Sequence, residues 1–348
     1  MVEIEKYHME EYQPQPNIAT KVSKHFNCEI CNSSDTSLFH AHEMMLGGTE
    51  RFEYLFCNEC ESTYQPVKLD SYAKYYSTNY YSFQFKEPTN LNGLIRKWKR
   101  NARNRFYYFS KGFLGRLLTI IKPRPINHLS HHVKLHLGMS ILEVGCGAGE
   151  LLYELGEIGL TNCIGIDPYV PADIQFKNGV HVYKLTLEEF KKNNSTVKYD
   201  LVMFNHSLEH SPTPIKDLEL ASSFLKSDGE LLIRWPVSGS TNAKVYGVNW
   251  WSLDSPRHIY LFSVKSMALL ANSVNMVISR IHFEGTIDDF LASEQHKSGT
   301  PLIASNSYIT TGRIDKFTSI EMKDFENQIK DQNKNGTASQ AGYVLHFA

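Results

Sequence analysis

The chain contains 348 residues, of which 42% are hydrophobic and 21% charged, and its formal net charge is −1. This length suffices for two or three domains, and the near-zero charge argues against a generic binder of polyanions. No apolar run approaches the ~20 residues that a membrane-spanning helix needs, and the polar, acidic residues 1–17 do not resemble a signal peptide. We therefore expect a cytoplasmic protein, in which thiols stay reduced.

The first 24 residues have little apolar content and predict a flexible tail. Residues 25–66, by contrast, contain four cysteines in two C-x-x-C pairs about 25 residues apart. These are Cys28, Cys31, Cys57 and Cys60. The spacing is typical of a zinc ribbon, in which two tight turns direct four thiolates to one point and the metal supplies folding energy that so small a segment lacks. The sequence therefore predicts a structural zinc site. Reduced cysteines without a metal, or a redox role, are the alternatives.

Residues 67–130 are first rich in tyrosine and then strongly basic. The tyrosines are Tyr72, Tyr75, Tyr76, Tyr80 and Tyr81. No acidic residue occurs from Pro88 to Leu142, and basic residues crowd the stretch from Arg96 to Arg124. We predict a helical cap whose apolar side packs on the protein. The alternative is a segment that attracts an anionic partner, either a diphosphate-linked sugar or an anionic membrane surface.

Residues 131–348 repeat the pattern of strand, turn and helix. Strands are predicted at Ser140–Val144, Cys163–Ile166, His181–Tyr183, Leu201–Asn205, Glu230–Trp235, Val277–Phe283 and Tyr343–Phe347. Helices are predicted at Gly149–Ile158, Leu187–Asn193, Pro214–Leu225 and Val264–Val274. This alternation predicts an α/β fold, Rossmann-like and doubly wound, around a mostly parallel seven-stranded sheet. Residues 326–341, rich in Asn, Gln and Lys, predict an exposed, mobile connection.

The segment Ile141–Glu150 passes from a strand into a helix through the glycines Gly145 and Gly147. Such a turn serves dinucleotides and S-adenosylmethionine alike, because glycine lets the backbone approach a ligand closely. The spacing G-x-G-x-G and the acid Glu143 favour S-adenosylmethionine over a nicotinamide cofactor, since this carboxylate would repel a pyrophosphate but suits an ammonium and a sulfonium. Asp167, 24 residues after Glu143, follows the next strand and is placed to accept the ribose hydroxyls.

These motifs resemble the class I S-adenosylmethionine-dependent methyltransferases, above all the bacterial group of domain type 23, which includes relatives of the ubiquinone O-methyltransferases. The segments that carry the resemblance are Ile141–Glu150, Gly165–Pro168, Tyr199–Pro214, Asp228–Ile233 and Trp251–Ser263. The cysteine pairs, with Tyr75-Tyr76 and Asn79-Tyr80-Tyr81 after them, are similar to a subgroup with a zinc-binding head. That subgroup includes sugar C-methyltransferases and enzymes of surface-glycan assembly.

The resemblance implies a set of cofactor-binding residues, running from the methionine end of the cofactor to its ribose, adenine and sulfonium. They are Glu143, Gly145, Cys146 and Gly147, then Asp167 and Pro168, then Leu185, and finally Asn205 and His206. Around Leu185 the family often has an acidic residue, whereas this chain has Lys184-Leu185-Thr186.

Methyl transfer to an alcohol or phenol requires removal of a proton, which a histidine near the sulfonium can accept. Ligands of doubly wound sheets lie beyond the carboxyl ends of the strands. The residues that follow those ends, and are therefore predicted to be catalytic, are His210, Glu209, His258 and His206. One alternative is that these residues orient a loop. The other is a divalent metal site, because His206-x-x-Glu209-His210 resembles an acid-x-x-Glu-His motif of some relatives. His258 would then be a further ligand. The aromatic residues predicted to line an acceptor pocket, or else to pack in the core, are Trp250, Trp251, Tyr76, Tyr80 and Tyr81.

The sequence thus predicts a methyltransferase domain over residues 131–348 that acts on a small molecule or glycan intermediate. A nucleotide- or lipid-linked sugar of surface polysaccharide biosynthesis is the favoured acceptor. No nucleic-acid partner is expected, and a peripheral contact with an anionic membrane is predicted as a second kind of partner. The competing hypotheses are a nucleic-acid methyltransferase that grips phosphates through the ribbon and the basic stretch, and a cofactor-binding protein without catalysis.

Overall fold

The computed structural model describes residues 26–76, 81–88, 91–121 and 129–348. The predicted tail, residues 1–24, lies outside the described residues, as does Tyr80, and of Tyr81 only the backbone is described.

Twelve strands and eleven α-helices form the described part of the chain. The strands are β1 Thr36–His42, β2 Arg51–Cys57, β3 Thr63–Tyr64, β4 Ile141–Val144, β5 Cys163–Ile166, β6 Ile174–Gln175, β7 His181–Tyr183, β8 Tyr199–Asn205, β9 Leu225–Pro236, β10 Tyr260–Leu261, β11 Met276–Phe283 and β12 Gln340–Phe347. The helices are α1 Leu91–Phe109, α2 Phe113–Ile121, α3 Leu129–His132, α4 Glu150–Glu157, α5 Leu187–Asn193, α6 Pro214–Ser222, α7 Thr241–Tyr246, α8 Val264–Ser273, α9 Asp288–Lys297, α10 Tyr308–Thr311 and α11 Ser319–Asn335.

The chain divides into two compact units, and each is discontinuous in sequence. The first unit comprises Met1–Tyr75, Leu208–Ile215 and Arg234–Gly342, and the second comprises Tyr76–Ser207, Lys216–Ile233 and Tyr343–Ala348. The four consecutive segments drawn from the sequence, with boundaries after residues 24, 66 and 130, remain a prediction about which stretches act together.

The first unit contains a small antiparallel sheet in the order β1-β2-β3-β10. Strands β1 and β2 pair from Thr36 opposite Cys57 to His42 opposite Arg51. Alternate residues of β2 turn towards a core that is largely aromatic, because side chains of a strand point to opposite faces in turn. The buried members of this core are Ala41, Phe52, Tyr54, Tyr75, Tyr246, Trp250, Leu253, Leu261, Phe290 and Ile329. Trp250 is therefore a core residue, and Trp251 packs against the same cluster.

The large sheet has the order β11-β12-β9-β8-β4-β5-β7-β6. Strand β4 pairs in parallel with both β5 and β8, and β5 pairs in parallel with β7. All seven predicted strands are present, and the two-residue β6 adds an antiparallel edge next to β7. The predicted Rossmann-like α/β fold with a mostly parallel sheet is therefore confirmed.

Residues 326–341 were expected to form an exposed, mobile connection. This expectation is wrong for residues 326–335, which belong to α11, and for residues 340–341, which belong to β12. The helix begins with a capping box, in which the side chains of Thr318 and Glu321 each accept a hydrogen bond from the other residue's backbone N–H. It ends at Gly336, whose φ of 74° is the left-handed conformation that commonly closes a helix. These caps stabilise a helix that its polar composition does not predict.

The basic stretch forms two helices, α1 and α2, as far as the chain is described; residues 122–128, which include Lys122 and Arg124, lie outside that part. One side of α1 carries ion pairs to α4, from Lys97 Nζ to Glu157 Oε2 at 2.8 Å and from Arg100 Nη1 to Glu154 Oε1 at 3.1 Å. Among all the helices described here, none is both long enough and apolar enough to cross a bilayer.

Candidate functional site

The turn after β4 has room only for glycine at two positions. Gly145 has a φ of 72°, and a Cβ there would lie 2.5 Å from the Cβ of Ser207. Gly147 has a φ of 54°, and its Cβ would lie 2.5 Å from the carbonyl oxygen of Ser82. The positive φ and the close approach of Ser207 and Ser82 both exclude a side chain, so these two positions of the turn require glycine.

Asp167 directly follows β5 and is held on both of its oxygens. Its Oδ2 accepts a hydrogen bond from the backbone N–H of Gly147 at 2.9 Å, and its Oδ1 accepts one from the N–H of Tyr169 at 2.8 Å. The glycine turn and the predicted ribose-binding acid thus form one hydrogen-bonded unit.

Glu143 lies on β4 with 2% of its surface exposed, and Cys146 follows it in the turn. Burial, and then the negative charges of Glu143 and Asp167, raise the pKa of the Cys146 thiol well above its usual value. The thiol is therefore neutral and unsuited to nucleophilic chemistry. Its sulfur occupies the space above Gly165, where a Cβ would lie 2.4 Å from the sulfur.

The remaining predicted cofactor residues lie at the ends of neighbouring strands. The backbone N–H groups of Leu185 and Asp167 both donate to the carbonyl of Tyr183, at 2.9 and 3.0 Å, so the structure brings these two residues together. Asn205 ends β8, and His206 follows it with a φ of 55°, a conformation uncommon outside glycine. Pro168 is exposed next to Asp167.

Three residues around this turn were missed by the sequence argument. Ser207 donates its hydroxyl to the carbonyl of Val144 at 2.6 Å, and the carbonyl of Ser82 accepts the N–H of Ala148 at 2.8 Å. The ring of Tyr169 stacks on that of Tyr76, with centroids 5.6 Å apart. Only Tyr169 carried a usable signal, its position two residues after the acid, because the other contacts join segments distant in sequence.

In the first unit, a buried cluster unites Glu209, His210 and His258. One ligand atom from each of the three lies within 4.8 Å of the others. Glu209 is fully buried and His258 is 9% exposed. The cluster is held by the backbone, since the N–H of Ile259 donates to the carbonyl of Glu209 at 2.7 Å. Three of the four predicted catalytic residues are thus brought together.

His206 is the fourth predicted catalytic residue, and it belongs to the second unit. It is not a member of the group that could hold a metal ion, which within the described chain consists of Glu209, His210 and His258. The metal hypothesis therefore has two imidazoles and one carboxylate as its ligand set.

The hydrogen bonds of the two histidines determine which ring nitrogen carries a proton. Nδ1 of His210 lies 2.9 Å from the carbonyl oxygen of Arg257, and Nδ1 of His258 lies 2.7 Å from that of Ser252. A carbonyl oxygen can only accept, so both Nδ1 atoms carry a proton, and Nε2 is the nitrogen of each ring that can accept a proton. Burial lowers the pKa of His258 to about 4, although the charge of Asp254 acts in the opposite direction. His258 is therefore neutral at physiological pH.

Arg257 was part of a motif in the sequence but was not singled out as a site residue. Its guanidinium is fully buried and donates to Glu43 Oε1 at 2.9 Å, Asp254 Oδ2 at 3.0 Å and the carbonyl of Tyr75 at 3.3 Å. Burial disfavours the charge of Asp254, but the charge of Arg257 outweighs it and lowers the pKa of Asp254 to about 2. The ion pair fixes the loop whose carbonyl orients His210.

The four ribbon cysteines form a second group with metal-ligand geometry. Sγ of Cys28 lies 3.6 Å from that of Cys60, and Sγ of Cys31 lies 3.5 Å from that of Cys57. A tetrahedral zinc ion with bonds of about 2.3 Å needs sulfur atoms about 3.8 Å apart. The residues therefore fit the metal that their spacing predicts.

A comparison with protein families matches residues 103–278, just over half of the chain, to a family of type 23 described as a methyltransferase domain. The chain belongs to this methyltransferase family. It is accordingly identified as a member of the class I S-adenosylmethionine-dependent methyltransferases, and binding of the cofactor by the glycine turn, Glu143 and Asp167 stays a prediction.

Two curated relatives of the methyltransferase carry different names. A tRNA U34 carboxymethyltransferase of Aliivibrio salmonicida is 29% identical over 180 residues, which cover 48% of this chain and 52% of the relative. A ubiquinone biosynthesis O-methyltransferase of Actinobacillus pleuropneumoniae is 27% identical over 122 residues, which cover 32% of this chain and 52% of the relative. The methyltransferase thus spans about half the length of these relatives.

Among solved structures, the methyltransferase is similar to a SAM-dependent methyltransferase from Archaeoglobus fulgidus. The two are 18% identical with a TM-score of 0.40, and the match covers 74% of this chain and 99% of the other.

The buried imidazole of His258 predicts a pH dependence of stability. Its pKa falls from 6.5 in the unfolded chain to about 4 in the fold, so the unfolded state takes up the proton first as the pH falls. The contribution is complete above pH 6.5 and is lost between pH 6.5 and about 4. From pH 7 to pH 5 we expect the free energy of unfolding to fall by about 2 kcal/mol more in the unsubstituted protein than in His258→Gln, measured by urea denaturation. Equal losses in both proteins would contradict the assignment.

Proposed function

We propose that this methyltransferase methylates a small-molecule or glycan acceptor and that His210 accepts the acceptor's proton. The observation that carries the proposal is the hydrogen bond from Nδ1 of His210 to the carbonyl of Arg257, because it leaves the Nε2 lone pair as the basic atom. When bound, S-adenosylmethionine supplies a methyl group on a positively charged sulfur, which a nucleophile displaces in line.

The chain's own residues hold the two ends of the cofactor in this proposal. Asp167, oriented by the backbone N–H groups of Gly147 and Tyr169, accepts the ribose hydroxyls on its carboxylate oxygens. Glu143 supplies a buried negative charge for the cofactor's ammonium group, which favours a cationic ligand in a site of low dielectric. The backbone of the glycine turn receives the methionine end of the cofactor, because glycine lets a backbone approach a ligand closely.

Three groups in the first unit divide the acid–base work. His210 accepts the proton, and Glu209 stabilises the cation that results, because a carboxylate beside an imidazole favours its protonated form. His258 lies between two carboxylates, with Nε2 4.0 Å from Glu209 Oε1 and 3.8 Å from Asp254 Oδ2. Its low pKa keeps it neutral, so the cluster does not gain a second positive charge. Glu209 and His210 follow the carboxyl end of β8 in the chain, the end at which doubly wound sheets bind ligands.

The acceptor is inferred from resemblance to other proteins and not from the geometry of the site. The ribbon and the tyrosines after it resemble the group with glycan acceptors, which favours a nucleotide- or lipid-linked sugar. A tRNA is the second candidate, because one relative is named for tRNA and shares 29% identity with this chain. That this protein has no nucleic-acid partner therefore stays a prediction.

We also propose that the ribbon cysteines bind one zinc ion. A site of four thiolates has no open coordination position, so the metal would stabilise the segment and take no part in the transfer. The hydroxyl of Ser263 donates to the carbonyl of Cys60 at 2.6 Å, which ties the second cysteine turn to the rest of the first unit.

The acceptor is tested by incubating the protein with methyl-labelled S-adenosylmethionine and with separated cell fractions. His210→Ala should reduce labelling of the accepting fraction by about 10²–10⁴-fold, because a positioned base contributes that much to a proton transfer. The exposed His346 provides a control, and His346→Ala should label normally. Label in the sugar or lipid fraction supports the glycan acceptor. Label that ribonuclease removes would identify RNA instead, and a similar loss of cofactor affinity in His210→Ala would show a structural role.

Cofactor binding is predicted to depend on Asp167. Asp167→Asn should weaken binding of S-adenosylhomocysteine by about 1–3 kcal/mol in calorimetry, because a hydrogen bond to a charged acceptor is lost. Asp173 is a matched control, since its carboxylate also accepts a backbone N–H, from Lys184 at 2.8 Å. Asp173→Asn should bind normally. An unchanged affinity in Asp167→Asn would refute the role of Asp167.

Zinc content is predicted to be about one atom per chain by elemental analysis. Cys57→Ser together with Cys60→Ser should abolish it and open residues 26–66 to proteases, whereas Cys163→Ala should keep the metal. A second metal atom that disappears in His210→Ala would assign a metal to the histidine cluster and remove His210 as the base.

A further inference from the structure

The basic helices α1 and α2 form an ordered hairpin, which we call the basic hairpin, residues 91–121. The two helices cross closely at Gly115, where a Cβ would lie 2.2 Å from the carbonyl oxygen of Ala102. On its inner side α1 is tied to α4 by the ion pairs of Lys97 and Arg100 and by partly buried aromatic rings at its end. The hairpin is thus a built element of the second unit.

The outer side of the basic hairpin is apolar to an unusual degree. Seven of the twenty exposed large hydrophobic side chains in the described chain lie on it. On α2 they recur along one helical stripe, with Phe113 82% exposed, Leu117 44% and Ile120 71%. On α1, Trp98 is 57% exposed beside Leu94 and Ile95. Exposed apolar side chains grouped in this way on each helix mark a binding site rather than a solvated helix face.

The same surface is strongly cationic. The exposed basic side chains are Arg96, Lys99, Arg105, Lys111 and Arg116. No acidic residue offsets them, because none occurs from Pro88 to Leu142. The hairpin carries eight positive charges in a chain whose net charge is −1, so the remaining residues sum to −9. Residues 91–121 therefore carry a strong local excess of positive charge.

We infer that the basic hairpin docks on an anionic lipid surface. A bilayer interface offers both components at once, phosphate groups for the cations and an acyl layer for the aliphatic side chains. Trp98 suits the boundary between the two layers, where tryptophan is enriched. RNA would match the charges but offers no apolar layer for Leu94, Leu117 and Ile120. The inference is independent of the methyl acceptor and of His210.

The test measures sedimentation of the full chain with vesicles of phosphatidylcholine alone and of phosphatidylcholine mixed with phosphatidylglycerol. At low salt we expect binding to the mixed vesicles only, reduced by high salt because exposed charges are screened. Arg96→Glu with Lys99→Glu should lower the partition coefficient at least tenfold. The control is Lys323→Glu with Lys330→Glu on α11, which makes the same charge change at two exposed lysines and should bind normally.

The apolar component is tested separately by Phe113→Ser with Ile120→Ser, which leaves every charge in place and should also lower binding at least tenfold. All variants are first checked for an unchanged circular dichroism spectrum and unchanged affinity for S-adenosylhomocysteine.

A readout on the unsubstituted protein does not depend on folding of a variant. Of the four tryptophans, Trp235 and Trp250 are buried and Trp251 is partly buried, so Trp98 is the exposed one. Brominated lipids should quench its fluorescence, and Trp98→Phe should lose the quenching while it keeps vesicle binding. Absent binding at low salt, binding that survives the variants of either component, or capture of RNA without capture of vesicles would overturn the inference.

Discussion

A guanidinium without exposed surface, that of Arg257, lies between the carboxylates of Glu43 and Asp254. Removing one partner of such a buried group leaves an uncompensated charge, which is strongly destabilising. The loop from Asp254 to His258 is therefore fixed, and its carbonyl at Arg257 can orient His210. Glu43 in turn accepts hydrogen bonds from the backbone N–H groups of residues 45, 46 and 48, so the constraint extends into the loop between β1 and β2 of the same unit. The orientation of the histidines follows from this ion pair.

The features predicted correctly from the sequence are those that short stretches of sequence determine. The strands of the large sheet and the turn at Gly145 and Gly147 were predicted because hydrophobic periodicity, turn residues and motif spacing can each be recognised within a short segment. Helix α11 was missed because its composition suggested a loop, although the capping box of Thr318 and Glu321 was present in the sequence. Caps carry more information about such a helix than its apolar content does.

The candidate sites show the same division between local and long-range information. Cysteine spacing predicted the ribbon group, and the two acids were placed from their distance to the glycines. The sequence offered His258 as a partner of Glu209 and His210 without a local signal, because a fold brings together residues that sequence separates, and the role of His206 stays a prediction. Arg257, Ser82 and Ser207 act through backbone contacts with distant segments, for which a single sequence contains no signal. Residue type thus predicts chemistry well, whereas partnership requires the structure.

The close approach of Cys146 to Gly165 has a consequence for how this site can change over evolutionary time. An alanine at position 165 would place its Cβ 2.4 Å from the sulfur, so the two side chains compete for one volume. Leu152 closes the space from the other side, with its Cδ1 2.8 Å from the same point. A larger residue at 165 therefore overpacks the site unless residues 146 and 152 both give way. Substitutions at these three positions are expected to be non-additive, so the effect of a change at one depends on the residues present at the other two.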